Sequence, residues 1–417
     1  MTLWKRFKKN NVGIPSVYAS KNITKYILRE CGKRFVKSES LNIKCIPNGI
    51  IAIGRTAYSF GVFDEKGVYV KESMLLRCKR MGNSIPTAST MINPQYLDCD
   101  AVYLGDLGNP SFGHYILENW NRAYAFCDEK YRKMKFVLVN DMRIESIPNF
   151  VAELARLLGI SPENFIFLNE STRFRNVYVP EQGFMMAQFS TKEFGKIYAQ
   201  IAEKVKEKTV FEKIYMSRAA LKHRKTYGEE KVQGIFEKNG YRIVYPEQLP
   251  LEEQIALVKN CKSLAGCAGT ALHLALFMPN GGNVIQLKRN KRKSDNCGVQ
   301  YLITQAKGID LVVIEASIEK YKTKHFDKYP QIIGVTEHLK RFFDDNGFTY
   351  SSEDIDYDRQ SYEEYIRANE DFLTNLGRSR LERRLQELIV QAMACFIPSR
   401  LHRNAFRGKM RKLFGIV

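Results

Sequence analysis

The chain of 417 residues is long enough for two or three domains that each bury a core, and its 44% hydrophobic and 26% charged residues exclude a mainly disordered protein. A net charge of +20 favours polyanionic partners: nucleic acid, an anionic membrane or a phosphate-bearing substrate. Nine cysteines, an odd number without a C-x-x-C pair, exclude a zinc ribbon or thioredoxin-type motif and read as reduced thiols of a cytosolic protein. The basic start, MTLWKRFKKNNVG, has no apolar stretch behind it, so no secretory leader is expected. No run of about 18 apolar residues occurs, so no membrane-spanning helix is expected.

Residues 1–40 are basic, with Glu30 and Glu39 as their only acids. From Asn42 to Val70 short apolar runs alternate with turn residues, and DEKG at 64–67 predicts a hairpin. An alternation of strands and helices follows. AVYLG (101–105) reads as a strand, HYILENWNRAYAF (114–126) as a helix, and KFVLVN (135–140) as a strand. PNFVAELARLLGI (148–160) reads as a helix ending near Gly159, and NFIFLN (164–169) as a strand. After a helix over 190–208 the pattern restarts. Strands are predicted at 213–217, 241–247, 263–269 and 283–288, and helices at 229–240, 250–261 and 270–278. This predicts two α/β units with mainly parallel sheets. A helical segment from Tyr362 to Phe396 follows an acidic patch at 351–365. Two Rossmann-like units facing a cleft indicate a GT-B-like architecture. Its parts would be an acceptor-side domain (1–200), a nucleotide-sugar domain (201–320) and a helical C-terminal segment (321–417).

Three constellations carry chemistry. In GCAGTALHLALFMP (266–279), a small-residue turn opens a helix, which suits a diphosphate at Gly269 and Thr270, with His273 one turn on. After the strand at 213–217, YMSRAALKHRK brings Arg218, Lys222, His223, Arg224 and Lys225 to a carboxyl end, where arginine forks and lysine point charges suit phosphate. In NPSFGHYILENWNR, starting at Asn109, His114 and Glu118 lie four apart on one helix face with Arg122 beyond them; the first two suit a base and its orienter. The acidic spacings Asp98/Asp100 and Asp354/Asp356/Asp358 are weak as metal motifs, and no metal site is expected. In the tail, Phe406, Met410, Leu413, Phe414 and Val417 form one stripe. Arg403, Arg407, Arg411 and Lys412 supply charge, with no acid over 398–417. This is the pattern of a helix lying on anionic lipid, and Trp4 and Phe7 add a second contact at the other terminus.

On these residues the chain resembles the family-61 glycosyltransferases, including bacterial capsular polysaccharide proteins of that group. GHYILENWNRAYAF is similar to the family's His–acid–Arg segment, and places His114, Glu118 and Arg122 on it. IYMSRAALKHRK, YRIVYPEQLPLEEQIALVKNCKSLAG, ALHLALFMP and VIQL place Ser217, Arg218, Arg224, Glu247, Glu252 and Gln254 on the pattern. The match spans roughly residues 100–290. It departs at one point: Ala268 stands where the family's turn has histidine, and His273 follows five residues later.

The resemblance implies a GT-B fold and inverting transfer, with neither cofactor nor essential metal. A nucleotide-sugar would be the donor and a growing surface polysaccharide or lipid-linked glycan the acceptor, at the cytoplasmic face of the cell membrane. His114 and Glu118 would serve catalysis, Asn109 and Arg122 the acceptor. Ser217, Arg218, Arg224, Lys225, Glu247, Glu252, Gln254, Gly269, Thr270 and His273 would serve the donor. A homodimer stays open. The alternatives are a sugar-binding scaffold without turnover and a basic nucleic-acid-binding protein. No nucleic-acid-binding motif supports the second.

Overall fold

The structure, a computed structural model, describes residues 13–37, 40–56, 58–78, 81–107, 111–140, 148–186, 188–206, 209–221, 225–291, 297–320, 329–395, 403, 406–407 and 409–410. In chain order it begins with strand β1 (Ser16–Tyr18) and helix α1 (Lys21–Gly32). Strands β2 (Ile43–Pro47), β3 (Ile50–Ile53), β4 (Phe60–Phe63), β5 (Gln95–Asp106) and β6 (Lys135–Val139) follow, then α2 (Asn149–Leu158). The first half closes with β7 (Phe165–Leu168), β8 (Thr172–Pro180) and α3 (Lys192–Lys204). The elements from β2 to β8 include a mixed sheet of order β7-β6-β5-β8-β3-β4, with β2 also on β8. The DEKG hairpin forms: the Gly67 N–H donates to the Asp64 carbonyl at 3.0 Å, returning Tyr69 beside Phe63.

The second half contains β9 (Lys213–Met216), α4 (Glu229–Lys238), β10 (Arg242–Val244), α5 (Leu251–Val258) and β11 (Ser263–Cys267). Strand β12 (Asn283–Lys288), α6 (Cys297–Ala306) and β13 (Asp310–Glu315) follow. Helices α7 (Glu337–Asp345) and α8 (Arg359–Cys395) come last. The strands form a wholly parallel sheet, ordered β10-β9-β11-β12-β13-β1. The N-terminal β1 thus supplies the far edge of the second sheet. The order reverses between β9 and β11, because β10 lies on the other side of β9. In such sheets the crevice beyond the strand ends at the reversal is where ligands bind.

Both faces of the second sheet are covered, which explains why its strands read as apolar runs rather than alternating ones. In β9, Ile214 and Met216 point to one side and Tyr215 to the other. The outer side packs on Val232 and Phe236 of α4 and Leu339 and Phe343 of α7. The inner side belongs to a cluster that also takes Val102, Leu104, Phe136 and Leu138 from the first sheet, and Ile197, Ile201, Leu302 and Ile303 from α3 and α6. One apolar core therefore runs through both units. Each fully buried Leu, Ile or Phe in it contributes about 1.5–3 kcal/mol.

Local signals set the helix ends. The Thr191 hydroxyl accepts the Phe194 N–H at 3.1 Å and opens α3. Gly159, with φ 76°, closes α2 in the left-handed region. The helix predicted over 114–126 is broken instead. A short α turn (Phe112–His114) widens into a π turn (Tyr115–Asn119), and a 3-10 turn (Ala123–Cys127) follows. Two asparagines compete for the backbone. Asn119 donates to the carbonyl and carboxylate of Asp106 at 2.7 and 2.9 Å, and Asn121 donates to the Glu118 carbonyl. The segment at 270–278 is likewise a 3-10 helix, Thr270–Phe277.

Candidate functional site

The π turn places the first pair. The Trp120 N–H reaches back five residues to the Tyr115 carbonyl at 2.8 Å, which widens the coil. His114 Nδ1 and Glu118 Oε2 then meet at 2.8 Å. Glu118 is buried, while the His114 side chain is 47% exposed. With the carboxylate accepting from Nδ1–H, the ring is held in the tautomer whose basic nitrogen is Nε2.

This turn abuts the second unit. A Cβ on Gly113 would come within 2.3 Å of Thr270 Cγ2 and 3.4 Å of His273 Nδ1, so only glycine allows the approach. His273 has its Nδ1 shielded from solvent and without a hydrogen-bond partner among the described residues. Burial first, and the neighbouring His114 second, push its pKa down to about 4. It is neutral at physiological pH.

Gly269 and Thr270 follow β11, and Arg218 follows β9, on either side of the strand reversal. A Cβ on Gly269 would lie 3.4 Å from Arg218 Nη1, so the guanidinium rests on the glycine turn. Ser217 is buried, and its hydroxyl accepts the Ala219 N–H at 3.1 Å, shaping the bend that presents Arg218. The Arg218 N–H donates to Glu229 Oε1 at 3.2 Å, and the Tyr215 hydroxyl donates to the same oxygen at 3.2 Å. Glu229 is wholly buried at the start of α4, which raises its carboxyl to about 7. Burial and the charge of Arg289, one residue past β12, both depress the Arg218 pKa.

The other expected residues sit apart or have other partners. Lys225 pairs with Glu230 at 3.8 Å and stacks 5.0 Å from the Tyr227 ring. Glu247 is exposed and near enough for its charge to act on Arg218. Gln254 donates to the carbonyls of Pro246 and Leu249 at 2.8 and 2.9 Å, holding its own loop. Glu252 bonds Arg156 of α2 at 2.5 Å, and its N–H donates to Glu153 at 2.9 Å, tying the two units together. Arg122 is wholly buried in the first unit, donating to the carbonyls of Pro180, Glu72 and Met74 at 2.9, 3.0 and 2.8 Å. Asn109, Lys222, His223 and Arg224 lie outside the described residues, as do Trp4, Phe7, Arg411, Lys412, Leu413, Phe414 and Val417. Phe406 and Met410 are half-buried.

The acidic spacings have cationic or capping partners. Asp98 and Asp100 flank Arg175 at 3.5 and 2.9 Å, and Asp354 bonds Lys238 at 2.5 Å. No metal-ligand cluster and no helix apolar enough to cross a membrane occur among the described residues. A cavity of about 380 Å³ along β10, lined by Phe211, Arg242, Tyr245, Gln248 and Leu257, shares no lining residue with the Arg218–His273 cluster.

Sequence reading passed over two members of that cluster. Arg289 directly follows a strand, which is the signal that singled out Arg218. Glu229 looks like an ordinary first-turn acid beside Glu230, and only the fold shows that it points inward.

The family model described as Glycosyltransferase 61 matches residues 112–285. The match begins at the His114 turn and ends inside β12, so it takes in both walls of the cluster, and it supports a glycosyltransferase. No curated protein matches the chain.

Proposed function

We propose that the chain transfers a sugar from a nucleotide-sugar to a growing surface glycan, by an inverting mechanism without an essential metal, in a GT-B-type cleft between its two sheets. The observation that carries the reading is the seating of the His114–Glu118 pair against the strand reversal where Arg218, Gly269 and His273 converge. A glycosyltransferase in general takes a nucleotide-sugar and a glycan, and this arrangement offers a base on one wall and anion-binding groups on the other.

In the proposed reaction His114 Nε2 takes the proton of the acceptor hydroxyl as its oxygen attacks the anomeric carbon. Glu118 holds the imidazole and stabilises its positive charge. The bond from the anomeric carbon to the phosphate oxygen breaks, and the electron pair leaves with the nucleoside diphosphate. Arg218 and the N–H groups at Gly269 and Thr270 then face the new negative charge. His273 lines this wall as a neutral ring. The basic tail would hold the enzyme on the cytoplasmic surface of an anionic membrane, near lipid-linked acceptors.

A panel of nucleotide-sugars screened by thermal shift, with chelator present, tests the donor side, since a ligand of the native state raises Tm by mass action. His114→Ala should then lower turnover by about 10²–10⁴-fold while donor affinity stays unchanged. Full turnover in that variant removes His114 from the mechanism. Ala268, at the position of the family's histidine, favours one second reading, a scaffold that binds the nucleotide-sugar without turnover. A Tm shift with no product from any acceptor would support it.

A further inference from the structure

We propose that Arg218 and Arg289 form a two-armed clamp for the donor diphosphate, with Glu229 beneath them as the positioning residue. The proposal deepens the reading above and rests on the donor being a nucleotide-sugar.

Three observations carry it. The two arginines follow β9 and β12, the strands on either side of β11, so both stand at the carboxyl end of the sheet around the Gly269 turn. The Nε atom of each is shielded from solvent and has no hydrogen-bond partner among the described residues. They are also close enough for the charge of Arg289 to disfavour that of Arg218. Two like charges with shielded Nε atoms, balanced from within only in part by the buried Glu229, are costly, and an anion bridging them lowers the cost. The short anionic span of a diphosphate, with two phosphates to engage two planar forks, matches that need better than a single carboxylate.

Glu229 lies beneath the two arginines and balances them. Its Oε1 accepts the Arg218 N–H and the Tyr215 hydroxyl, and it feels the charges of Arg218 and Arg289, with the Cys267 thiol as its other titratable neighbour. Ionised, it offsets part of the clamp's positive charge; protonated, it leaves both forks unopposed. With its carboxyl raised to about 7, the clamp should bind anions more tightly at pH 6 than at pH 8.

The test uses the full chain and inorganic pyrophosphate, followed by calorimetry. Wild type should bind it, and Arg218→Ala and Arg289→Ala should each weaken binding about ten-fold or more, with Arg289→Lys recovering part. The ratio of Kd at pH 8 to Kd at pH 6 should be several-fold smaller in Glu229→Gln than in wild type. The probe's own titration is common to both proteins and cancels. Circular dichroism of each variant checks the fold. If Glu229→Gln does not fold, Glu229→Asp replaces it, and the ratio should again differ from that of wild type. Wild-type affinity in Arg289→Ala, or no pyrophosphate binding at all, overturns the clamp. An unchanged pH ratio in the Glu229 variant overturns the role of Glu229. Pyrophosphate held by both arginines while no nucleotide-sugar binds would leave the clamp standing and overturn the donor reading instead.

Discussion

The two units differ in how they hold the groups nearest the site. In the first, each singled-out group that the structure describes has a protein partner, although one nitrogen of Arg122, Nη1, has none among the described residues. His114 has Glu118, Arg122 has three carbonyl oxygens, and Asp98 and Asp100 share Arg175. In the second, three polar atoms at the strand reversal, Arg218 Nε, Arg289 Nε and His273 Nδ1, have no hydrogen-bond partner among the described residues. A fold pairs its buried polar groups unless something outside the chain is to pair them. On the proposed function the first unit holds an oriented imidazole and the second receives the anion of the donor.

The most severe break in this contrast is Arg122→Met. It would remove a wholly buried guanidinium, 5.6 Å from the Tyr103 ring, and orphan three carbonyls. The expected loss is about 3–5 kcal/mol, read from the urea midpoint. Arg122→Lys should recover little, since one ammonium cannot reproduce the fork. A near-wild-type midpoint in Arg122→Met would mean that the arginine faces the acceptor rather than the frame.

Gly113→Ala tests where the units touch. Its Cβ would fall 2.3 Å from Thr270 Cγ2, so something must move, at about 1–3 kcal/mol. Removing that methyl with Thr270→Ser should restore much of the loss in a double-mutant cycle. Additive effects would place the two residues in separate environments.

His273 sharpens the comparison through pH. Its folded pKa of about 4 lies below the ordinary histidine value, so between about 4 and 6.5 the unfolded chain binds more protons than the native one. The stability it confers is present above about 6.5 and fades as pH falls toward 4, by roughly 2 kcal/mol once the half-buried state of the residue is counted. Glu229, raised to about 7, acts in the opposite sense, losing stability as pH rises from about 4.5 to 7. His273→Gln should therefore lie closer to wild type in Tm at pH 5 than at pH 7.5. A difference independent of pH would show that the ring is not held neutral by its surroundings.

The parallel sheet was the most legible part of the chain. With both faces buried, β9, β11 and β12 appear as short apolar runs between helical periods, and their predicted positions fall within a few residues of the observed ones. Strand β8 is hidden in the sequence, although TRFRNVYVP buries Thr172, Phe174, Val177, Val179 and Pro180, because its arginines and asparagine resemble a loop. The break in the helix over 114–126 was hidden for another reason. It depends on Asn119 reaching Asp106, a contact of tertiary structure that local spacing does not encode. The site shows the same division. His114 and Glu118 were visible as an i, i+4 pair, but Arg289 joins Arg218 only through the strand order β9-β11-β12.

The smallest expected effect belongs to Glu252, where two roles compete. The family resemblance puts it on the donor side, whereas the fold sets it against Arg156 across the boundary between the units. The two side chains are 39% and 60% exposed, so solvent screens the pair and its coupling should be only about 0.2–1 kcal/mol, shrinking as salt is added. A cycle of Glu252→Gln and Arg156→Gln measures it. Coupling in that range with donor affinity unchanged makes the residue a tie between the units. A several-fold loss of nucleotide-sugar affinity in Glu252→Gln, undiminished when Arg156 is replaced as well, would move it to the donor site. The anion-receiving surface would then extend from the strand reversal to the start of α5.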